Sequence, residues 1–193
     1  QRHLEAIAKL LPTTVISTAV GLPAIEDFME ARVRIVRVSY QKRWPIISKV
    51  LAYRKGIKYL KKQGFTFNLV HVHVTYPAGL AALFLKKPLL VSEHFSGFQT
   101  ERKHRWGIFE KWATLKILRK TDLLLPVSKT LGEAMCKFGY QGPVEVISNV
   151  VNTSIFKVTE QNTKPKKPRF LHLSTLQNET KNITGLLDAA ALL

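Results

Sequence analysis

The chain of 193 residues contains a single cysteine and no long apolar run. Cys136 alone cannot form an internal disulfide, so the sequence fits a reducing compartment, and we expect a cytoplasmic protein. No stretch reaches the roughly 18 apolar residues of a membrane-spanning helix. Acidic residues are also scarce, because 13 Asp and Glu stand against 30 Lys and Arg and leave a net charge of +17. Such a field attracts nucleic acid, anionic lipid or phosphorylated ligands.

Strand and helix patterns alternate along the chain, whose apolar content of 46% can supply a core. A β-branched run predicts a strand at 13–20, and the alternation of Arg with Val and Ile predicts a half-exposed strand at 31–40. Short, mostly apolar runs predict strands at 68–74, 88–94, 122–128 and 144–148. Helical patterns fall at 2–11, 46–62, 77–86, 106–120 and 129–138. This alternation predicts an α/β fold, a Rossmann-like, doubly wound parallel sheet with flanking helices.

A Lys/Pro-rich stretch without apolar periodicity predicts a domain boundary. We expect a first domain over residues 1–152, a linker over 153–168 and the start of a second Rossmann-like domain over 169–193. The helical pattern at the start and the uncapped apolar pattern at the end indicate a piece of a longer protein. We therefore expect the first strand and most of the second domain to lie outside this sequence.

The second domain opens with a strand pattern at 169–176, a polar loop at 177–182 and a helix pattern at 183–193. A strand followed by a loop and a helix start is where α/β proteins bind phosphorylated ligands. The loop contains no glycine, so it is neither a P-loop nor a dinucleotide fingerprint. Phosphate would be held by Lys181 and by free N–H groups of the helix start. The alternative is an ordinary solvent-exposed lysine.

Polar residues follow several of the predicted strands. Glu93 and His94 end one strand, Tyr76 and Gly79 follow the strand before it, and Ser128 ends a third. Because ligands bind at the carboxyl ends of parallel strands, we expect these residues to line a ligand site. The alternative for His94 is a side chain satisfied by nearby backbone. Ser128 lacks a Gly-x-Ser-x-Gly elbow, which argues against a hydrolase nucleophile.

His71 and His73 form an H-x-H pair on one strand face. A metal site needs more ligands than this pair, and Cys136 has no partner close in sequence. We therefore expect no bound metal.

The segment 46–62 predicts a basic amphipathic helix. One apolar stripe is formed by Ile46, Val50, Tyr53, Ile57 and Leu60, and a basic arc by Arg54, Lys55, Lys58, Lys61 and Lys62. The stripe can pack on the sheet while the lysines are solvated. The arc, together with Trp44, can also contact an anionic membrane surface.

Five segments in order resemble the retaining GT-B glycosyltransferases of family 4. They are QRHLEAIAKLL, HVHVTYPAGLAALFLKKPLLVSEH, TDLLLPVSKTLGEAMCKFGY, VISNVVNTSIF and FLHLSTLQNETKNITGLLDAAALL. The fourth is similar to the hallmark segment Val-Ile-Pro-Asn-Gly-Val-Asp-x-x-x-Phe, from which it departs at Ser148, Val150 and Asn152. The resemblance covers nearly the whole chain.

The resemblance implies transfer of a sugar from a nucleotide-sugar donor to an acceptor hydroxyl, with retention and without a bound metal. The two substrates would meet in a cleft between two Rossmann-like domains. His94 falls on the histidine that contacts the donor sugar, and Lys181 on the lysine that binds the donor diphosphate. Ser128 and Asn149 fall near the cleft. Thr175 stands where many members carry a diphosphate-binding arginine.

The acceptor in this family is often lipid-linked or a growing surface polysaccharide, which implies work at the inner face of the cytoplasmic membrane. We expect this stretch of sequence alone to be inactive.

Because Thr175 replaces the arginine, an alternative function is a non-catalytic sugar- or nucleotide-binding module of the same fold. Nothing but the charge suggests a nucleic-acid-binding protein, and no specific nucleic acid is expected.

Overall fold

The computed structural model of the chain describes residues 2–21, 23–99, 106–157 and 170–192. The chain divides into two compact units, Gln1–Val151 and Asn152–Leu193. The domain limits given above stay predictions, and residues 158–168 of the predicted linker lie outside the described residues. Among the described residues, no helix combines the length and the apolar character needed to cross a lipid bilayer.

The first unit alternates strands and helices, and the predicted α/β class is confirmed. Its elements are α1 (Arg2–Ala8), β1 (Thr13–Ala19), β2 (Ile25–Glu30), β3 (Val33–Ser39), α2 (Pro45–Lys62), β4 (Val70–His73), α3 (Gly79–Ala82), β5 (Leu89–Glu93), α4 (Ile108–Lys120), β6 (Leu123–Pro126) and α5 (Lys129–Phe138). A short 3₁₀ helix, Ser96–Phe98, follows β5. The second unit contains α6 (Asn178–Lys181) and α7 (Ile183–Ala191).

The first sheet has the strand order β1-β3-β2, with β3 parallel to β1 and antiparallel to β2. Strand β2 is absent from the sequence prediction. It joins β3 through Ala31 and Arg32, both with positive φ, as a two-residue type I′ turn requires. Opposite charges face each other across this pair, since Arg34 bonds Asp27 and Arg37 bonds Glu26.

The second sheet is fully parallel, in the order β4-β5-β6. Residues 143–147 continue it, because Leu124 bridges Val144 and the Ile147 N–H donates to the Pro126 carbonyl at 3.0 Å. This is the place of the strand predicted at 144–148. At the opposite end of the sheet, the Leu89 N–H donates to Asp122 Oδ2 at 2.7 Å and aligns the starts of β5 and β6.

Each sheet has its own apolar core. Val36 and Val38 of β3 pack with Ala52 and Leu60 of α2. The larger cluster is centred on β5 and β6 and includes Leu89, Val91, Ile117, Leu118, Leu124, Leu131 and Met135. The face of α2 that is buried consists of Ala52, Gly56 and Leu60, of which only Leu60 belongs to the predicted stripe. Ile46 is exposed and the other stripe residues are half-buried, whereas the basic arc is exposed as the packing alternative predicted.

Three predicted elements differ from the structure. Two three-stranded sheets replace the single parallel sheet within the described residues. The helix predicted at 77–86 shortens to α3, because several bonds around it are of the tighter i to i+3 type. The strand predicted at 169–176 is not formed over 170–176, where apolar side chains are exposed. A strand needs a hydrogen-bonding neighbour, and the described part of the second unit contains none.

Candidate functional site

The carboxyl ends of β4, β5 and β6 meet at one edge of the second sheet. Backbone bonds continue past the strands, from the Val74 N–H to the Ser92 carbonyl at 2.8 Å and from the Val127 N–H to the Glu93 carbonyl at 3.2 Å. Tyr76, His94 and Ser128 follow these strand ends. Three of the residues singled out in the sequence therefore share one edge of the sheet.

His94 presents an exposed imidazole at this edge. Its backbone N–H donates to Glu93 Oε1 at 2.7 Å. This bond involves the main chain of His94 and leaves the imidazole available. The His94 ring stacks on that of His73, with centroids 6.3 Å apart and planes 16° apart. His73 in turn lies 4.4 Å from the His71 ring, whose Nε2 is bonded to Ser92 Oγ at 2.8 Å. The His94 ring therefore lies against His73 of β4, and His94 is exposed to solvent.

Glu93 is fully buried, with 0% of its surface exposed. Its Oε1 accepts from the N–H groups of His94 and Phe95, both at 2.7 Å. Its Oε2 accepts from the Thr75 N–H at 2.9 Å and from the Thr75 hydroxyl at 2.6 Å. Each oxygen therefore has two protein donors, and the carboxylate joins two loops of the edge.

Tyr76 borders a small pocket of about 130 Å³ beside His94. The pocket is lined by Val74, Tyr76, Glu93, Phe95, Phe98, Trp106 and Glu110. Burial, and to a lesser extent the charge of Glu110, raise the pKa of the Tyr76 hydroxyl above its ordinary value. That hydroxyl is buried and has no hydrogen-bond partner among the described residues. The pocket therefore combines aromatic walls with a few polar groups, the mixture found in small-molecule sites, although its volume is smaller than theirs.

Gly79 and Ser128 have structural reasons for their residue type. A Cβ on Gly79 would lie 2.6 Å from Ile117 Cγ2, so the glycine lets α3 approach α4 closely. Ser128 is the N-cap of α5, and its Oγ accepts from the Leu131 N–H at 3.2 Å. The close packing of α3 on α4 accounts for the glycine at position 79, and the helix cap accounts for the serine at position 128.

The remaining predicted residues are exposed. Asn149 lies in an extended segment at the end of the first unit. In the second unit, Thr175 precedes α6, and Lys181 is the last residue of that helix. Asn182, which is left-handed at φ 48°, separates α6 from α7. The polar loop predicted at 177–182 therefore contains a helix, and Lys181 ends that helix two positions before α7 begins.

The start of α7 is partly used by the protein itself. Asn178 Oδ1 accepts from the Thr184 N–H at 3.0 Å and from the Thr184 hydroxyl at 3.1 Å. The N–H groups expected to hold phosphate are thus fewer than the sequence suggested.

Sequence reasoning missed Thr75 and the pocket residues Phe98, Trp106 and Glu110. A threonine one residue beyond a strand has no distinguishing signal. The aromatic residues after β5 could have been noticed as a cluster. Within the described ranges, no group of three or more His, Cys, Asp and Glu side chains is placed to hold a metal ion.

Comparison with known proteins extends this picture. The family model described as Glycosyltransferase Family 4 matches residues 2–155. Eight chains of solved structures also match. One is the sucrose-phosphate synthase of Thermosynechococcus elongatus, with a TM-score of 0.55 and 17% identity over 80% of this chain and 86% of that chain. This likeness shows a shared fold. No match was found among curated proteins.

Proposed function

Because the chain belongs to Glycosyltransferase Family 4, we propose that it transfers a sugar from a nucleotide-sugar donor to an acceptor hydroxyl with retention of configuration. Its α/β fold is that of a GT-B glycosyltransferase. The observation that carries the proposal is the edge of the second sheet, where an exposed His94 lies between Glu93 and Phe95, two residues that line an aromatic pocket. In the proposed reaction His94 orients the donor sugar, and no metal ion is needed.

The test is transfer with the protein expressed from its complete gene and a panel of nucleotide sugars. A donor labelled with ¹³C at the anomeric carbon lets NMR read the configuration of the product. Retention is expected, and an inverted product would reject the proposed stereochemistry. His94→Ala should lower kcat/KM by about 10²-fold, because a displacement of the donor sugar by about 1 Å can cost that much in rate. EDTA should leave the rate unchanged.

Lys181 is proposed to bind the donor diphosphate. Its exposure and its position just before α7 support this role, since a lysine charge and a helix start favour the same anion. Thr175 would contribute a hydroxyl in place of an arginine. Lys181→Ala should raise the Kd of the nucleoside diphosphate about tenfold or more, since charge-assisted contacts are strong.

The matched control is Lys137→Ala, which removes another exposed lysine from the last turn of α5. Calorimetry with the nucleoside diphosphate compares both variants with the unaltered protein. Equal Kd values for all three would remove Lys181 from the donor site. Diphosphate binding without any transfer would instead favour the alternative, a non-catalytic module of the same fold.

The acceptor is proposed to be lipid-linked or a surface polysaccharide, reached at the inner face of the cytoplasmic membrane. Helix α2 supports this, because its lysines are exposed beside apolar side chains. Trp44 is 63% exposed, Ile47 60% and Leu51 56%. Each lysine near an anionic leaflet contributes about 1 kcal/mol to the free energy of membrane binding. Exposed aromatic and aliphatic side chains can enter the headgroup region.

Liposome sedimentation tests the membrane proposal. Lys58→Glu/Lys62→Glu should weaken binding to vesicles containing anionic lipid, and Lys129→Glu/Lys137→Glu on α5 makes the same charge change elsewhere. Equal loss in both double variants would indicate a response to net charge alone. Equal binding of the unaltered protein to neutral and anionic vesicles would reject an electrostatic role for α2.

Binding to nucleic acid is proposed to be sequence-independent and lost with rising salt.

A further inference from the structure

Two loops form the edge at which His94 and Tyr76 lie. One connects β4 to α3 and contains Tyr76, and the other follows β5 and contains His94. Between them, Glu93 accepts four hydrogen bonds, two from Thr75 in the first loop and two from the N–H groups that open the second. No other described carboxylate in the chain is both fully buried and bonded to two loops.

Burial of a carboxylate is costly unless strong hydrogen bonds replace its hydration. Bonds from backbone N–H groups to a charged acceptor supply that replacement. A carboxylate accepts on both oxygens, whereas the isosteric amide of glutamine has one accepting oxygen and one donating NH₂ group. Glutamine at position 93 would therefore set its NH₂ group against the donors of one of the two loops.

The loop after β4 also has a backbone that needs support. Val74 adopts φ 68°, a left-handed conformation that is rare for a β-branched residue. Such residues persist where their surroundings determine the conformation. Val74 is followed directly by Thr75, whose N–H and hydroxyl both donate to Glu93. Glu93 thus holds the strained turn that leads to Tyr76.

We propose that Glu93 is a positioning residue for sugar transfer, whose buried carboxylate fixes the Tyr76 loop and the His94 backbone relative to each other. The proposal rests on the proposed function, because it assumes that His94 acts on the donor. Glu93 would not touch either substrate. It would act through the geometry of the two loops, and an error of about 1 Å in such geometry can cost about 10²-fold in rate.

The variants are Glu93→Gln, Thr75→Val and Thr75→Ser. Glu93→Gln keeps the shape and removes one acceptor, Thr75→Val removes only the hydroxyl bond, and Thr75→Ser restores it. Asp122→Ala is the matched control. It removes another carboxylate that accepts a backbone N–H, that of Leu89 at 2.7 Å, at the opposite ends of the strands.

The first measurement is amide hydrogen exchange in the chain of 193 residues. In Glu93→Gln, amide exchange should become at least about tenfold faster in one of the two loops, either at Thr75 or at His94 and Phe95, with Val91 as the reference amide. The reason is that the loss of a bond of about 1.4 kcal/mol changes an opening equilibrium tenfold. In Asp122→Ala these amides should be unchanged. Unchanged exchange at all three in Glu93→Gln would overturn the proposal.

The second measurement is transfer by the protein expressed from its complete gene, below the melting range of each variant. Glu93→Gln and Thr75→Val should lower kcat with little change in the KM for the acceptor, and Thr75→Ser should restore kcat. Asp122→Ala should leave kcat unchanged. A lower stability with unchanged kcat in Glu93→Gln and Thr75→Val would show a purely structural role. If His94→Ala had no effect on transfer, the function proposed for His94 would fail, while the exchange data would still decide whether Glu93 fixes the loops.

Discussion

Replacing Gly79 by alanine tests why a glycine begins α3. A Cβ at this position would lie 2.6 Å from Ile117 Cγ2, 3.0 Å from its Cδ1 and 3.2 Å from its Cγ1. Carbon atoms prefer separations of about 3.5–4.0 Å, so the closest contact is about 1 Å too short. Ile117 is fully buried in the larger core and has little room to move. The added methyl group must therefore displace α4 or strain the isoleucine.

Overpacking of this kind costs about 1–3 kcal/mol. Alanine recovers about 0.5–1 kcal/mol relative to glycine within a helix, and less at its first residue. We therefore expect a net loss of about 1–2 kcal/mol in the free energy of unfolding. In a chain of this size, that corresponds to a decrease in Tm of about 2–8 °C. Urea and thermal denaturation followed by circular dichroism measure both quantities.

A double-mutant cycle with Ile117→Ala identifies the contact. Ile117→Ala should itself cost about 2–5 kcal/mol, because it leaves a cavity in the core. In that background, Gly79→Ala should cost nothing or stabilise, since the new methyl group enters the cavity. An equal cost in both backgrounds would refute the steric explanation. Gly107→Ala is the control for the coupling, because the nearest atom to its added Cβ, Glu110 Cβ, is 4.0 Å away. Gly107 is the N-cap of α4, so this variant should carry a cap cost of its own, equal in both backgrounds.

Three further outcomes follow from single contacts. Tyr76→Phe removes a buried hydroxyl without a described partner, so urea denaturation should show unchanged stability or a gain of up to about 1 kcal/mol, and a larger loss would reveal a bond. Ser128→Ala should cost about 1 kcal/mol of helix-cap stability in thermal denaturation, and Ser128→Asn should cost less. The hydrogen bond from Arg34 lowers the pKa of Asp27, so its contribution to stability is present above the unfolded-state pKa and is lost as pH falls through the folded-state value. Below about pH 4, the free energy of unfolding should therefore decrease less with falling pH in Asp27→Asn than in the unaltered protein. An identical pH dependence in both proteins would contradict this.

The elements that the sequence predicted are those with strong local patterns. Strand β1 is a β-branched run, β3 alternates arginine with Val and Ile, and β4, β5 and β6 are short, mostly apolar runs. The structure confirms all five. Strand β2 escaped notice because its turn is Ala31-Arg32, without the Asn-Gly or Asp-Gly signal of a type I′ turn. The 169–176 pattern has the composition of a strand, but the structure forms no strand over 170–176, because a single strand cannot satisfy its own backbone.

The site could be predicted only as far as strand ends indicate it. His94, Tyr76 and Ser128 lie at the predicted edge because parallel strands end together. The burial of Glu93 could not be predicted, because two of its four donors come from Thr75, 18 positions earlier in the sequence. Contacts between distant residues depend on register and loop geometry, which a single sequence does not display.

The first sheet has two different edges. Strand β2 carries Glu26, Asp27 and Glu30, whereas β1 consists of uncharged residues, mostly β-branched, and has a partner on one side only within the described part of the chain. Charges discourage the addition of a further strand, and an uncharged open edge invites it. A further strand, whether from the rest of the protein or from a neighbouring molecule, should therefore add at β1. Thr14→Lys should delay aggregation during purification. A lysine substitution in β2 should have little effect, because that edge already carries charges.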